Sequence, residues 1–122
     1  MKYLLDTCVL LWALTGDEKR LKEFISPIQD IQNSIFVSIV SYWEIVVKKT
    51  LNKITIPDNF IELVEKSGFS WLQLELHHIQ KLEKLPLHHN DPFDRLLVAQ
   101  AMANNFQLLT PDKHILEYFK SN

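Results

Sequence analysis

The sequence predicts an α/β domain with a central, mainly parallel sheet that is covered by helices on both faces. Short apolar segments alternate with segments of helical periodicity along nearly the whole chain, which is typical of parallel sheets. The first of them, Tyr3-Leu4-Leu5, is apolar throughout, as expected of a strand buried on both faces. Because the chain has 122 residues and no repeat or linker, we expect a single domain over residues 1–122.

The first half of the chain contains two predicted strands, each followed by a helix. Gly16-Asp17 interrupts the pattern between two helices, and the second of these has apolar residues such as Leu21 and Ile28 at helical spacing. The predicted elements are a strand over 2–5, helices over 7–14 and 18–28, a strand over 35–38 and a helix over 40–51.

The second half contains two more predicted strands between helices. Asp58 has the position of a helix cap. Asp91-Pro92 places a capping side chain before a proline at the first helical position, which favours a helix start. The predicted elements are an extended connector over 54–57, a helix over 58–66, a strand over 71–74, helices over 77–85 and 91–104, a strand over 106–109 and a helix over 112–119.

Composition excludes several classes of function. Two glycines rule out a glycine-rich phosphate loop, and the net charge of −2 gives no support for broad electrostatic binding to nucleic acid. Site-specific contacts bridged by cations remain open. The single cysteine, Cys8, has no internal disulfide partner, which fits a reducing cytosol. No segment is long enough to span a bilayer and no signal cleavage site follows the first apolar residues, so we expect a cytoplasmic protein.

Four acidic residues stand at the ends of predicted elements: Asp6, Glu44, Asp94 and Asp112. Asp6 and Asp112 fall just past predicted strands, and parallel sheets bind ligands at the carboxyl ends of their strands. Carboxylates that converge there would repel each other unless a cation is present, and oxygen-rich sites without thiolates suit Mg²⁺ or Mn²⁺. We therefore expect these four acids to form a metal pocket that hydrolyses phosphodiester bonds with metal-activated water.

Structural roles compete with this interpretation for some of the acids. Helix N-termini favour acidic residues, which accounts for Asp6 and Asp112 taken singly and for Asp91 completely. Asp94 resists this explanation because it shares a helical stripe with apolar residues and so points toward the core.

Glu44 has two interpretations of equal weight. It lies at the edge of an apolar helical stripe, and it also stands four residues before Lys48, with which a surface ion pair would contribute only about 0.2–0.5 kcal/mol. The histidines show no zinc-type spacing with cysteines, so we expect solvated or capping roles for them. His89 is close enough to Asp91 to be a minor substrate contact.

Several segments resemble the PIN-domain fold and, more narrowly, the VapC-type toxins of bacterial toxin–antitoxin pairs. The similarity follows the family's order along nearly the whole chain, and its most specific part runs over residues 91–101. The matching segments are Leu4-Leu5-Asp6-Thr7, Ser41-Tyr42-Trp43-Glu44-Ile45, residues 89–101 with Asp91-Pro92-Phe93-Asp94-Arg95, and Leu109-Thr110-Pro111-Asp112.

The resemblance implies a three-layer α/β/α domain that acts as a Mg²⁺- or Mn²⁺-dependent endoribonuclease. It also implies a homodimer and inhibition by a cognate antitoxin whose peptide covers the acidic pocket. By position, Asp6, Glu44 and Asp94 match the family's core acids, and Asp112 matches a fourth, more variable acid. Asp91 matches an additional acid that either caps a helix or supports the metal site.

Candidate substrate contacts also follow from the resemblance. Thr7 and Thr110 match hydroxyl positions beside the metal, and Arg95, like Lys48, is a candidate contact to phosphate. Chains of this family usually end with a strand after the last helix, whereas this sequence stops at Lys120-Ser121-Asn122. We therefore expect the sheet to lack that edge strand or to form a very short one.

Two other classes of function stay open. A non-catalytic PIN-like module that binds proteins would be expected to lack a core acid, and none is missing. A phosphatase with an aspartyl nucleophile at Asp6 usually needs a second aspartate two residues later, where this chain has Cys8. Titration of divalent ions with and without RNA tests the first alternative, and trapping of a phosphoenzyme tests the second.

Overall fold

The computed structural model describes residues 1–120 and contains a sheet of four strands. The strands are β1 (Lys2–Leu5), β2 (Ser34–Ser38), β3 (Ser70–Leu72) and β4 (Gln107–Leu109). They lie in the order β3-β2-β1-β4, and every neighbouring pair is parallel. β1 is therefore an inner strand, and its residues Leu4 and Leu5 are fully buried.

Helices connect the strands and cover the sheet. They are α1 (Thr7–Thr15), α2 (Glu18–Leu21), α3 (Ile25–Gln29), α4 (Ile39–Thr50), α5 (Phe60–Lys66), α6 (Leu76–Glu83), α7 (Pro92–Asn104) and α8 (Lys113–Leu116). α1 and α4 begin directly after β1 and β2, so the first residues of both helices lie at the carboxyl edge of the sheet.

Two hydrophobic cores lie on opposite faces of the sheet because successive residues of a strand point to opposite sides. Leu5 and Leu109 belong to the core that includes residues of α1 and α5. Leu4 and Leu108, their neighbours in sequence, belong to the core that includes residues of α7 and α8. The three-layer α/β/α architecture with a parallel sheet is thus confirmed.

The strand order places a topological switch between β1 and β4. From β1 the chain adds β2 and β3 on one side and later returns to place β4 on the other side. In open parallel sheets, ligands bind at the carboxyl ends of the strands beside such a switch. Asp6 and Thr110 are the first residues after the two strands that flank it.

The prediction of one continuous helix over residues 18–28 is wrong. α2 ends at Leu21, a 3₁₀ turn covers Lys22–Phe24, and α3 begins at Ile25. Pro27 gives the reason. In the interior of one long helix it would remove a hydrogen bond and clash with the preceding turn, whereas the break brings it into the first turn of α3, where proline is tolerated.

Other boundaries differ by a few residues. α5 begins at Phe60 rather than at the predicted residue 58, because a turn in which the Phe60 N–H donates to the Pro57 carbonyl holds Asp58 outside the helix. α8 is one turn long and continues as a 3₁₀ turn over Glu117–Phe119.

Two sequence-based expectations concern a strand after the last helix and a membrane-spanning helix. Within residues 1–120 no strand follows β4, and the last two positions, on which the expectation of a very short edge strand falls, lie outside the described residues. In the same part of the chain, every helix is too short or too polar to cross a membrane.

Candidate metal centre

The sheet fixes the position of Asp6. Its backbone N–H donates to the Leu109 carbonyl of β4 over 3.0 Å, which holds the end of β1 against β4. The residue is only 5% exposed, and one carboxylate oxygen, Oδ2, accepts a hydrogen bond of 2.6 Å from the Thr110 hydroxyl. Burial raises the pKa of Asp6, hydrogen bonds from Thr110 and Cys8 oppose that rise, and the charge of Glu44 adds to it.

Glu44 lies in α4 and is 4% exposed. The Thr7 hydroxyl donates to its Oε1 over 2.8 Å, and Lys48 Nζ donates to its Oε2 over 2.7 Å. Because the single hydroxyl hydrogen of Thr7 goes to Glu44, the Ser41 hydroxyl, 2.9 Å away, donates to Thr7. Glu44 forms the ion pair with Lys48 that the sequence spacing suggested, but its carboxylate is buried instead of lying at the surface. The hydrogen bond from Lys48 to Glu44 is the main cause that raises the pKa of Lys48.

Asp94 lies in the first turn of α7 with its side chain 17% exposed. Burial raises its pKa to about 7, with further contributions from the negative charges of Asp6, Asp91 and Glu44 and an opposing one from His89. Mutual repulsion of this kind requires the groups to be close. The charges of Asp6 and Glu44 act on Asp94, so carboxylates from three distant parts of the chain lie in one region at the carboxyl edge of the sheet. Within residues 1–120, the atoms at this edge that lie close enough to share one ion belong to His89, Asp94 and Asp112.

Two further acids cap helices at this pocket. Asp91 Oδ1 accepts the Asp94 N–H over 3.0 Å at the start of α7, so the expected capping bond is present. Asp112 Oδ1 accepts the N–H groups of His114 and Ile115, over 2.8 and 3.4 Å, at the start of α8. Burial acts to raise the pKa of Asp112, but these bonds and one from His89 outweigh it, and the pKa is lowered.

His89 joins two of the acids, although the sequence suggested only a minor role for it. Its Nε2 lies 3.3 Å from Asp94 Oδ2 and 3.3 Å from Asp112 Oδ2, and its side chain is 20% exposed. The available sequence signal was its position two residues before Asp91. Neither helical periodicity nor the spacing typical of metal ligands indicates this position of His89. Its contacts run from the loop before α7 to residues at the starts of α7 and α8.

The sequence profile described as PIN domain matches residues 3–120. The chain belongs to the PIN-domain family. No curated protein matches this PIN domain.

Among solved structures, the PIN domain is similar to a chain of VapBC2 from Rickettsia felis, crystallised bound to a DNA fragment from its promoter. The TM-score is 0.71 at 15% sequence identity, and the match covers 97% of this chain and 93% of that chain. At this identity the likeness shows a shared fold.

The donor set of the PIN domain fits a hard divalent cation. Oxygen ligands predominate, and the raised pKa of both Asp6 and Asp94 reflects a pocket that disfavours its own negative charges. Burial, together with the charge of Asp6, also raises the pKa of the Cys8 thiol, which therefore stays protonated and is a poor ligand. Carboxylates are thus the groups available to hold Mg²⁺ or Mn²⁺.

The candidate substrate contacts Thr7, Thr110 and Arg95 all form hydrogen bonds within the protein. The hydroxyls of Thr7 and Thr110 are buried and donate to Glu44 and Asp6, so they orient carboxylates. Arg95 donates from Nη2 to the Leu85 carbonyl over 3.2 Å, and its Nε is buried without a hydrogen-bond partner within residues 1–120. Direct contact of these three side chains with a substrate stays a prediction.

Proposed function

We propose that this PIN domain is a Mg²⁺- or Mn²⁺-dependent endoribonuclease and the toxin of a VapC-type toxin–antitoxin pair. The observation that carries the proposal is the burial of acidic side chains at the carboxyl edge of the sheet: Asp6 and Glu44 are 5% and 4% exposed, and the charges of both raise the pKa of the partly buried Asp94. A buried group of carboxylates that repel one another is stabilised when a cation binds among them. RNA as the substrate follows from the resemblance to VapC-type toxins, since the geometry of the acids alone suits any phosphodiester.

In this proposal Asp6, Glu44 and Asp94 hold the ion directly or through water, and Asp112 supports the site from the start of α8. When bound, the ion supplies an activated water for attack on phosphorus and offsets the charge that develops on the phosphate oxygens. Lys48, with its side chain 44% exposed beside Glu44, is a candidate contact to an RNA phosphate.

The ligand roles are tested by Asp6→Asn and Asp94→Asn, which remove one negative charge each with little change in shape. We expect both variants to lose RNA cleavage and toxicity in cells. The loss should exceed the roughly 10–100-fold effect of removing a group that only supports a metal ligand. Cleavage of a mixed RNA substrate with Mg²⁺, with Mn²⁺ and with EDTA measures this effect, and circular dichroism checks the fold.

Asp58→Asn is the matched control, because Asp58 is exposed and lies outside the helices. It should leave cleavage unchanged. Metal-dependent cleavage retained by both pocket variants would refute the assignment. An absence of cleavage in the wild type, together with a failure to bind Mg²⁺, would instead favour the non-catalytic protein-binding alternative.

We further propose a cognate antitoxin and a homodimer, and we expect the protein to act in the cytoplasm. The support is the resemblance to VapC-type toxins and the similarity to a chain of VapBC2, which is itself a complex. Co-expression with the product of a neighbouring small open reading frame, followed by co-purification and an RNA-cleavage assay, tests the antitoxin. Light scattering of the purified chain tests the dimer, and a monomer mass would contradict it.

A further inference from the structure

We propose that His89 is a positioning residue: its Nε2 donates a hydrogen bond to Asp112 and lies beside Asp94, so that the two carboxylates are held next to each other. The inference rests on the proposed function, because it names the group that orders two acids of the proposed metal pocket. It assigns His89 a hydrogen-bonding role instead of a place among the metal ligands.

The tautomer follows from the backbone. The Asp91 N–H points at Nδ1 of His89 over 3.0 Å, and an amide nitrogen in this geometry is a donor only. Nδ1 must therefore accept, which leaves it unprotonated. In a neutral ring the hydrogen is then on Nε2, the atom that lies 3.3 Å from an oxygen of each carboxylate.

The ring is held in place by contacts that do not involve the two carboxylates. The backbone N–H groups of His88 and His89 both donate to the Tyr118 hydroxyl over 3.0 Å, and Tyr118 is 7% exposed. The Asp91 N–H fixes the other side of the ring. Because the loop is anchored at a buried phenol, Nε2 is presented to the pocket before any ion binds.

Geometry also argues against direct metal binding by His89. Its nitrogen and the oxygens of Asp94 and Asp112 all lie within 4.8 Å of one another, a spacing that a cation could bridge. A neutral imidazole that binds a metal through Nε2 must carry its hydrogen on Nδ1. That hydrogen would point at the Asp91 N–H, so the loop backbone disfavours the ligand form.

The donor role has a clear electrostatic benefit. An N–H that donates to Asp112 within 3.3 Å of Asp94 reduces the repulsion between the two carboxylates and fixes the direction of the remaining lone pairs of Asp112. Hydrogen-bonded neighbours of this kind commonly set the geometry of metal ligands.

The tautomer is measured directly by long-range ¹H–¹⁵N correlation spectra of the uniformly labelled wild-type protein. The His89 signals are assigned by their absence in His89→Gln. We expect a pyrrole-type shift at Nε2 and a pyridine-type shift at Nδ1, both preserved when Mg²⁺ or the diamagnetic probe Zn²⁺ is added. The Nδ1–H tautomer, or conversion of Nε2 to a metal-bound nitrogen, would overturn the proposal.

Two variants test the consequence for the pocket. His89→Phe removes both ring nitrogens, and we expect Mg²⁺ affinity by calorimetry to fall roughly 10–100-fold. His89→Gln keeps an N–H donor at a similar distance from the backbone and should restore most of that affinity. For RNA cleavage, we expect His89→Phe to lower kcat with little change in KM for RNA.

The matched control is Gln80→Phe, since Gln80 is exposed on α6 and lies outside every group of possible metal ligands found within residues 1–120. It should bind Mg²⁺ like the wild type, and thermal unfolding checks that each variant is folded. Unchanged Mg²⁺ affinity in His89→Phe, or a Gln variant as weak as the Phe variant, would contradict the positioning role. A wild type that binds Mg²⁺ with the expected tautomer but cleaves no RNA would sink the proposed function and leave the His89 assignment standing.

Discussion

Asp94 lies in the first turn of α7 with its carboxylate among other negative charges, and this arrangement costs stability whenever no cation is present. Hydroxyl donors offset part of the cost at the neighbouring acids: Thr110 donates to Asp6, and Thr7 donates to Glu44. Hydrogen bonds to the charged form favour ionisation, whereas burial and like charges oppose it. The balance of these effects at each residue determines how the pocket responds to pH.

For the metal-free protein we predict that stability falls as the pH rises through about 7. The pKa of Asp94 is raised from 3.8 to about 7 on folding, so between these values the folded state binds more protons than the unfolded state. The stabilising effect of this group is therefore complete below the lower value and is lost as the pH passes the upper one. Urea unfolding in EDTA at about pH 5 and about pH 8 measures the difference.

Asp94→Asn removes the titrating group and should flatten this part of the pH profile, whereas Asp58→Asn should keep it. Asp6, whose pKa is also raised, contributes in the same direction, so a residual slope is expected in the variant. A wild-type protein that is more stable at the higher pH in EDTA would contradict the electrostatic description of the pocket.

At the scale of single residues, the sequence singled out the acids as candidates and gave no indication of the side chains that support them. Asp6 and Asp94 are visible because a charge next to apolar residues needs an explanation. His89 is less visible, since its role depends on the direction of the Asp91 N–H and on a carboxylate 23 residues away, Asp112. No periodic pattern encodes contacts of that kind.

Among the secondary-structure elements, β2 and α7 are joined by a buried polar network. The Gln100 side chain, fully buried in α7, accepts a hydrogen bond from Ser38 and donates to the Gln73 carbonyl over 3.2 Å. Ser38 also caps α4 by accepting the Val40 N–H. The network therefore links the end of β2, and with it the helix that carries Glu44, to α7.

We predict that Gln100→Leu lowers the free energy of unfolding by about 1–3 kcal/mol for each partner that it leaves unsatisfied. Ser38 and the carbonyl of Gln73 are those partners. Urea unfolding at fixed pH measures the change, and Gln80→Leu, at an exposed position of α6, is the control. Equal unfolding midpoints for both variants would show that the network contributes little to stability.

The elements themselves were largely predictable, and their irregularities were not. Capping and proline position identified the start of α7 at Asp91-Pro92, and this prediction is confirmed. The break between α2 and α3 was missed because apolar spacing alone reports which side of a segment is buried. It does not report a change from an α-helix to a 3₁₀ turn, which Pro27 makes necessary.

For the whole molecule, alternation of apolar and helical segments predicted the fold class, whereas the order β3-β2-β1-β4 needed the structure. Strand periodicity shows how many faces are buried, but it contains no information on which strand lies beside which. The switch between β1 and β4 nevertheless follows the general rule for parallel sheets. It brings Asp6, from the start of the chain, to Thr110 near its end.

Since the pocket gathers side chains from both ends of the chain, we predict that Mg²⁺ stabilises the whole molecule. A ligand that binds only the folded state at about 100 times its Kd adds about 2.7 kcal/mol to the free energy of unfolding. Calorimetry of the wild type at increasing Mg²⁺ should therefore show a rising Tm. Sodium chloride at equal ionic strength separates binding from charge screening.

The double variant Asp6→Asn and Asp94→Asn should show the opposite pattern. It lacks two buried charges, so in EDTA its Tm should exceed that of the wild type, and Mg²⁺ should add little to it. The two Tm values should cross as the Mg²⁺ concentration rises, because the charges that destabilise the empty pocket are those that bind the ion. If both proteins respond equally to Mg²⁺, the ion binds elsewhere, and these carboxylates are not its ligands.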